Sequence, residues 1–325
     1  MPTQRAQEYE STIRIDATTE PLAREVLAGL AAPSPFISPK FLYDPLGSRL
    51  FSAITELDEY YPTRTEAAIV GANLDAIATA TGAPGCTLID LGAGDCEKAA
   101  RLFGALQPRQ YVAVDISEQF LAESLARLAQ RHPSLSMTGV GADFSRSLRL
   151  PDTVQQTKRL FFYPGSSIGN FSRSDALAFL RRLRGLLDAD GGLLIGIDLA
   201  KDKATLEAAY DDALGVTAAF NLNVLRNVNR IAGTDFEIAD WRHRAFFHEA
   251  ESRIEIYVEA RRAVEIHWPG GGRSFVAGER IHTENSHKYR LDDFERLLQA
   301  AGFFVQHNWT DPRQWFAMVL ARPAD

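Results

Sequence analysis

Cysteine is scarce in this 325-residue sequence: Cys86 and Cys96 make no CxxC pair. Two thiols cannot build a disulfide framework, so they read as small reduced residues of a cytosolic protein. Metal-binding patterns are missing too. The seven histidines show no HExxH and no Cys/His cluster, so no metal site is expected. No apolar run approaches ~18 residues, so no transmembrane helix is expected. The opening Met1-Pro2-Thr3-Gln4-Arg5 lacks the apolar core of a secretory leader, and the expected location is cytoplasmic. Basic residues form no block or stripe and the net charge is −7, which argues against nucleic acid as a partner. No internal repeat or low-complexity tract is present. What remains is a globular composition, with length for one large domain or two smaller ones.

The most informative stretch is Thr87-Leu88-Ile89-Asp90-Leu91-Gly92-Ala93-Gly94-Asp95-Cys96-Glu97-Lys98. A short apolar run reads as a buried parallel strand, followed by a Gly-x-Gly turn and a helix start. This is the first half of a nucleotide-binding βαβ unit. The glycines let the backbone approach a ligand closely. A pyrophosphate fingerprint needs a third glycine, and that position holds Glu97, a poor neighbour for pyrophosphate at a helix N-terminus. The turn therefore suits a ligand with no phosphate there, such as S-adenosylmethionine (SAM). Tyr111-Val112-Ala113-Val114-Asp115 reads as the second strand, ending in an acid placed for ribose hydroxyls. A helix over 117–131 leads to Thr138-Gly139-Val140-Gly141-Ala142-Asp143-Phe144. There Asp143 is placed to accept from the adenine amino group and Phe144 to pack on the ring. Three strand ends in register point to a SAM-dependent methyltransferase domain.

Upstream, residues 1–18 read as a polar, loosely held segment. Helices are expected over about 19–31 and 48–56. Thr63-Arg64-Thr65-Glu66 has capping-box spacing and should open a helix that runs toward the first strand. Downstream, 159–163 and 193–197 read as further strands, separated by a helix capped by Ser172 or Ser174. The alternation implies a parallel sheet between helices. Helices follow near 202–212 and 216–230, then β structure over 235–282, including the alternating strand 253–259 and a hairpin turn at Pro269-Gly270-Gly271-Gly272. A helix at 291–301 and an antiparallel pair, 303–309 and 315–322, close the chain. The expected fold is α/β: a Rossmann-like class I SAM-dependent methyltransferase domain (64–200 and 287–325) with a mixed α+β substrate-binding domain (1–63 and 201–286).

Several runs are more specific than a glycine turn: Lys40-Phe41-Leu42-Tyr43-Asp44, Tyr60-Tyr61-Pro62-Thr63-Arg64-Thr65-Glu66, Gly165-Ser166-Ser167-Ile168-Gly169-Asn170, Ala209-Tyr210-Asp211-Asp212, Gly215-Val216-Thr217-Ala218-Ala219-Phe220-Asn221 and Thr283-Glu284-Asn285-Ser286. On these the chain resembles, over nearly its whole length, the histidine-specific Nα-methyltransferases of ergothioneine biosynthesis. These form trimethylhistidine (hercynine) from SAM and L-histidine. The resemblance implies SAM contacts at Gly92, Lys98, Asp115, Asp143 and Phe144. It implies amino-acid contacts at Tyr43, Tyr60, Asn170, Tyr210, Glu284 and Ser286. The sequence departs from the family around Gly92 to Cys96, and at Ile256, where the family can carry methionine near the substrate ring.

Methyl transfer to an amine is an in-line displacement that depends on positioning, so no dedicated general base is expected. Tyr43 would steer the amine, with an aromatic face suited to the quaternary ammonium product. Asn170 and Tyr210 would hold the substrate carboxylate. Glu284 and Ser286, two apart on an extended segment, face one side and would hold the two imidazole nitrogens. Read singly, Asn170 is a turn residue, Tyr210 a core residue and the Glu284 segment a solvated strand edge. The rival functions are an N-methyltransferase for tryptophan or tyrosine, an NAD-dependent oxidoreductase and a non-catalytic SAM-binding protein. The partner is a small molecule, and the enzyme is expected to be a monomer.

Overall fold

The computed structural model describes residues 19–324; the segment 1–18 lies outside the described residues. The strands are β1 Thr87–Leu91, β2 Gln110–Asp115, β3 Ser136–Gly141, β4 Arg159–Tyr163, β5 Gly192–Asp198, β6 Trp241–His248, β7 Arg253–Ala260, β8 Val264–Trp268, β9 Gly271–Phe275, β10 Arg280–His287, β11 Phe303–Thr310 and β12 Phe316–Pro323. A seven-stranded sheet has the order β11-β12-β5-β4-β1-β2-β3. Strands β1 to β5 run parallel, and β12 joins β5 antiparallel. β1 and β5 are buried along their whole length, as befits parallel strands covered on both faces. One apolar core lies under the helices Arg173–Arg184 and Leu291–Ala300, and a second lies on the opposite face.

A third core draws on residues 26–61 and 206–281. It joins helix Val216–Ala232 to a three-stranded sheet, β10-β7-β6, and to helices Thr19–Ala31 and Pro45–Ile54. The β8–β9 hairpin turns at Pro269-Gly270. Among the described residues no helix is long and apolar enough to cross a membrane. No group of three or more His, Cys, Asp or Glu there could hold a metal ion.

Two local expectations are corrected. The helix expected to open at Thr63 begins at Tyr61, and no side chain caps it. Pro62 sits in the first turn, where its fixed φ and missing N–H fit. Glu66 does not reach back to the helix start; it turns inward to stronger donors. The helix expected over 202–212 stops at Ala208. Asp212 instead accepts from Val216 N (3.0 Å) and Thr217 N (2.8 Å), starting the next helix.

The two parts meet where β10 crosses the loop after β4. A Cβ on Gly169 would lie 2.9 Å from the His287 carbonyl oxygen and 3.2 Å from its nitrogen. Only glycine permits that approach. The His287 ring Nδ1 pairs with the Gly169 carbonyl at 2.9 Å, locking the crossing.

Candidate active site

At the carboxyl ends of β1 and β2, Gly92 (φ +71°) and Gly94 (φ +53°) take left-handed backbone, which favours glycine. Asp115 closes the turn: one carboxylate oxygen accepts from Gly94 N and the other from Ser117 N, each at 2.9 Å. Burial raises its pKa, and these N–H groups oppose the shift. Each oxygen keeps a lone pair for a ribose hydroxyl. The Phe144 ring lies 3.8 Å from where a Gly92 Cβ would stand, and packs edge-on against Tyr163. Gly92 and Gly94 leave the backbone open beside this aromatic face. Asp143 is bonded by Ser145 and lies 3.5 Å from the Lys40 ammonium, which also bonds Glu25 at 2.8 Å.

Lys98 reaches away from the turn to Glu66 (2.7 Å), whose other oxygen accepts from Gly165 N at 2.7 Å. Glu66 thus ties the first helix after the glycine turn to the loop after β4. Gly165 (φ +75°) and Ser166 (φ +57°) turn that loop sharply. Ser166 tolerates left-handed backbone because its hydroxyl accepts from Asp198 N at 2.8 Å.

Beyond this loop lies a pocket whose lining includes Tyr43, Tyr60, Asn170, Tyr210, Glu284 and Ser286. Tyr43 packs edge-on against Phe51 and Phe220, and Tyr60 against Tyr210. Enclosure raises the pKa of both Tyr43 and Tyr60, so both stay protonated. Glu284 is only 7% exposed and accepts from Asn170 Nδ2 at 2.8 Å. Burial pushes its pKa up to about 8, against the pull of Lys288. A β-bulge between His282 and Glu284 shifts the register of β10 on β7. It lets Thr283 bury its hydroxyl against Asn221 (2.7 Å) while Glu284 and Ser286 turn into the pocket beside Ile256.

Beneath the pocket runs a buried polar network that the sequence reading missed. The Lys288 ammonium donates to Asp198 Oδ2 (2.7 Å), Tyr210 OH (2.9 Å) and Ser286 Oγ (2.8 Å). Tyr61 OH donates to Asp198 at 2.8 Å, and Lys201 bonds both Asp198 and the Tyr61 oxygen. Burial alone would raise the Asp198 pKa; the two ammoniums outweigh it and hold the carboxyl below its usual range. Burial brings Lys201 down to about 8 despite Asp198. One signal was available: Asp198 ends a strand of an open α/β sheet, where ligands gather. Glu66 stood in a quoted motif but was read as a helix cap.

The structure therefore gathers Tyr43, Tyr60, Asn170, Tyr210, Glu284 and Ser286 at one pocket. It sets Gly92, Asp115 and Phe144 together at the ends of β1 and β2. Lys98 stands between the two groups, and Asp143 faces Lys40.

A sheet of this order, with a glycine turn after β1, an acid ending β2 and a polar pocket beside them, defines a Rossmann-like class I methyltransferase, an enzyme that uses SAM. The chain belongs to the family described as histidine-specific methyltransferase, SAM-dependent, whose model matches residues 22–323. It is 39% identical over 313 residues to the histidine N-alpha-methyltransferase of Mycolicibacterium smegmatis, covering 94% of this chain and 96% of the relative. The enzyme of that name from Mycobacterium tuberculosis is 37% identical over 312 residues, with coverage of 94% and 96%. Ergothioneine biosynthesis protein 1 of Neurospora crassa is 33% identical over 86% of this chain and 32% of its own length. Among solved structures, the 1,6-didemethyltoxoflavin-N1-methyltransferase of Burkholderia thailandensis aligns with a TM-score of 0.47 at 16% identity, over 90% of this chain and 94% of that one.

Proposed function

We propose that this enzyme transfers three methyl groups in turn to the α-amine of L-histidine, giving hercynine, the first step of ergothioneine biosynthesis. The observation that carries the reading is Glu284. It is a buried carboxyl with Asn170 as its hydrogen-bond partner, set beside a serine hydroxyl in a pocket walled by aromatic rings. Such a group disfavours any side chain that cannot pair with it. The names of the mycobacterial relatives support the same substrate.

In this reading Gly92, Asp115, Asp143 and Phe144 hold SAM, with Lys98 at the junction. SAM supplies an electrophilic methyl on a sulfonium centre. The chain's own residues place a neutral amine in line with it and exclude water, and that positioning supplies most of the rate. Tyr43 receives the amine. Its ring, with that of Tyr60, offers an aromatic face to the growing positive charge. Both hydroxyls stay protonated and so can donate to a ligand. Asn170 has a second N–H for the substrate carboxylate. Tyr210 is tied to Ser286 and Lys288, so it serves the imidazole end. The cofactor unit is taken as 64–200 and 287–325, and the substrate unit as 1–63 and 201–286. The helix Tyr61–Ala72 spans their boundary. The enzyme is taken as a monomer acting in the cytoplasm, where two buried free cysteines stay reduced.

The test is mass spectrometry of product from SAM with each of the twenty amino acids, run on wild type and Glu284→Ala. Wild type should methylate histidine above all others, and the variant should lose roughly 10²-fold in kcat/KM for it. A preference for tryptophan or tyrosine, or unchanged turnover in the variant, would refute the substrate assignment. SAM binding without any methylated product would leave a binding protein.

A further inference from the structure

We infer that Lys288 is a positioning residue that keeps both oxygens of the Ser286–Tyr210 hydroxyl pair occupied as acceptors, so that the pair offers the pocket a hydrogen and the pocket selects a neutral imidazole with one bare nitrogen. The inference rests on the histidine reading above.

The Lys288 side chain is fully buried. An ammonium has three hydrogens and no acceptor. All three are engaged, by Asp198 Oδ2, Tyr210 OH and Ser286 Oγ. Both hydroxyl oxygens are therefore acceptors toward the lysine. They also lie 2.8 Å from each other, so one hydroxyl donates to the other. Two hydroxyl hydrogens enter this triangle, and one is consumed inside it. Either hydroxyl can be the inner donor, and both residues line the pocket; when Tyr210 donates to Ser286, the serine hydrogen is the one left, on the strand that also carries Glu284. The pocket thus offers a donor next to the Glu284 acceptor. A neutral imidazole answers both: its N–H meets an acceptor oxygen of the Glu284 carboxyl and its bare nitrogen takes the serine hydrogen. A ring with no bare nitrogen sets hydrogen against hydrogen.

Charge counting marks the lysine as more than scaffold. Asp198 already has Lys201 and the Tyr61 hydroxyl. A second buried ammonium is not needed to satisfy it, and burying one is unfavourable unless paired. Lys288→Met leaves Asp198 paired with Lys201, so the variant should fold.

The experiment compares kcat/KM for histidine with that for pyrrolylalanine, in which a pyrrole carrying only an N–H replaces imidazole. Wild type and Lys288→Met are assayed as full chains, with S-adenosylhomocysteine affinity by calorimetry as the check on the cofactor site. Wild type should prefer histidine by roughly 10²-fold, the cost of one unpaired buried donor. In Lys288→Met the preference should shrink about tenfold, mostly through KM for histidine, with S-adenosylhomocysteine affinity unchanged. If the variant loses both substrates in proportion and keeps the preference, the lysine is structural and the inference fails. Two further variants read the same triangle whether or not the methionine variant folds. Ser286→Ala should lose the preference. Tyr210→Phe should keep it, because Lys288 still turns the serine hydrogen outward; loss in both overturns the inference. Wild type that does not methylate histidine refutes the substrate reading itself, and is seen before any variant is made.

Discussion

At the scale of single residues, Glu284 combines burial with a lone side-chain partner, and that combination has a measurable consequence. Its carboxyl titrates near 8 in the folded protein, against 4.5 when free. Because the folded pKa is raised, the folded state keeps a proton that the unfolded chain releases. The stabilising effect of this neutral carboxyl is full below about 4.5 and is lost as pH rises toward 8. Glu284→Gln removes the titration. The ligand-free variant should melt above wild type at pH 8, by a few degrees, and match it near pH 4.5; thermal melts across that range check the sign. The Glu284 and Ser286 positions were legible in the sequence through the family motif and the spacing of two in an extended segment. Lys288 was not. A lysine two residues further on reads as solvated, and nothing local shows that Asp198, ninety residues earlier, waits to pair with it.

At the scale of elements, strand β10 and the loop after β4 set the site together. The bulge at Thr283 changes which side chains face inward partway along β10. Period-two reasoning across the whole strand would put either Thr283 or Glu284 outside; both are buried. The loop's position depends on Gly169, which allows the His287 backbone to come within contact. Gly169→Ala should push the loop from β10 and separate Asn170 from Glu284. Overpacking of this kind costs about 1–3 kcal/mol. The expected result is a KM for histidine raised at least about tenfold, with S-adenosylhomocysteine affinity held within about threefold, since the ends of β1 and β2 are untouched. Calorimetry and steady-state kinetics on the same preparation check both. The misplaced helix start at Thr63 has the same lesson in reverse. A capping-box spacing was present, but Glu66 found Lys98 and Gly165 N instead. A charge-assisted bond to an ammonium outcompetes reaching back to a helix end.

At the scale of the whole molecule, Asp198 is the joint. It ends β5 of the main sheet, and it holds Tyr61, Lys201 and Lys288 from segments on either side of the cleft. Asp198→Ala leaves two buried ammoniums with no carboxylate, a change that typically costs 3–5 kcal/mol. The melting temperature should fall on the order of 6 °C or more. Histidine turnover should drop with it, since Lys288 loses one of its anchors. The pKa of Asp198 is held low, so its contribution is present above the ordinary carboxyl range and lost as pH falls through the folded value. The advantage of wild type over the variant should therefore narrow in acid, which melts at pH 7 and pH 3 compare.

The sequence by itself determined the parallel strands, the cofactor turn, the acids that end β2 and follow β3, and the family. These depend on local patterning: apolar runs, glycines where backbone must turn, and residues at fixed offsets from a strand end. Only the tertiary structure decided which polar groups face each other beneath the pocket. Pairing between Asp198 and Lys288, or between Glu66 and Lys98, joins segments far apart in the chain, and burial gives such a pair its strength. Neither the partner nor the burial is written in the neighbouring residues; both exist only once distant segments of the chain have packed together.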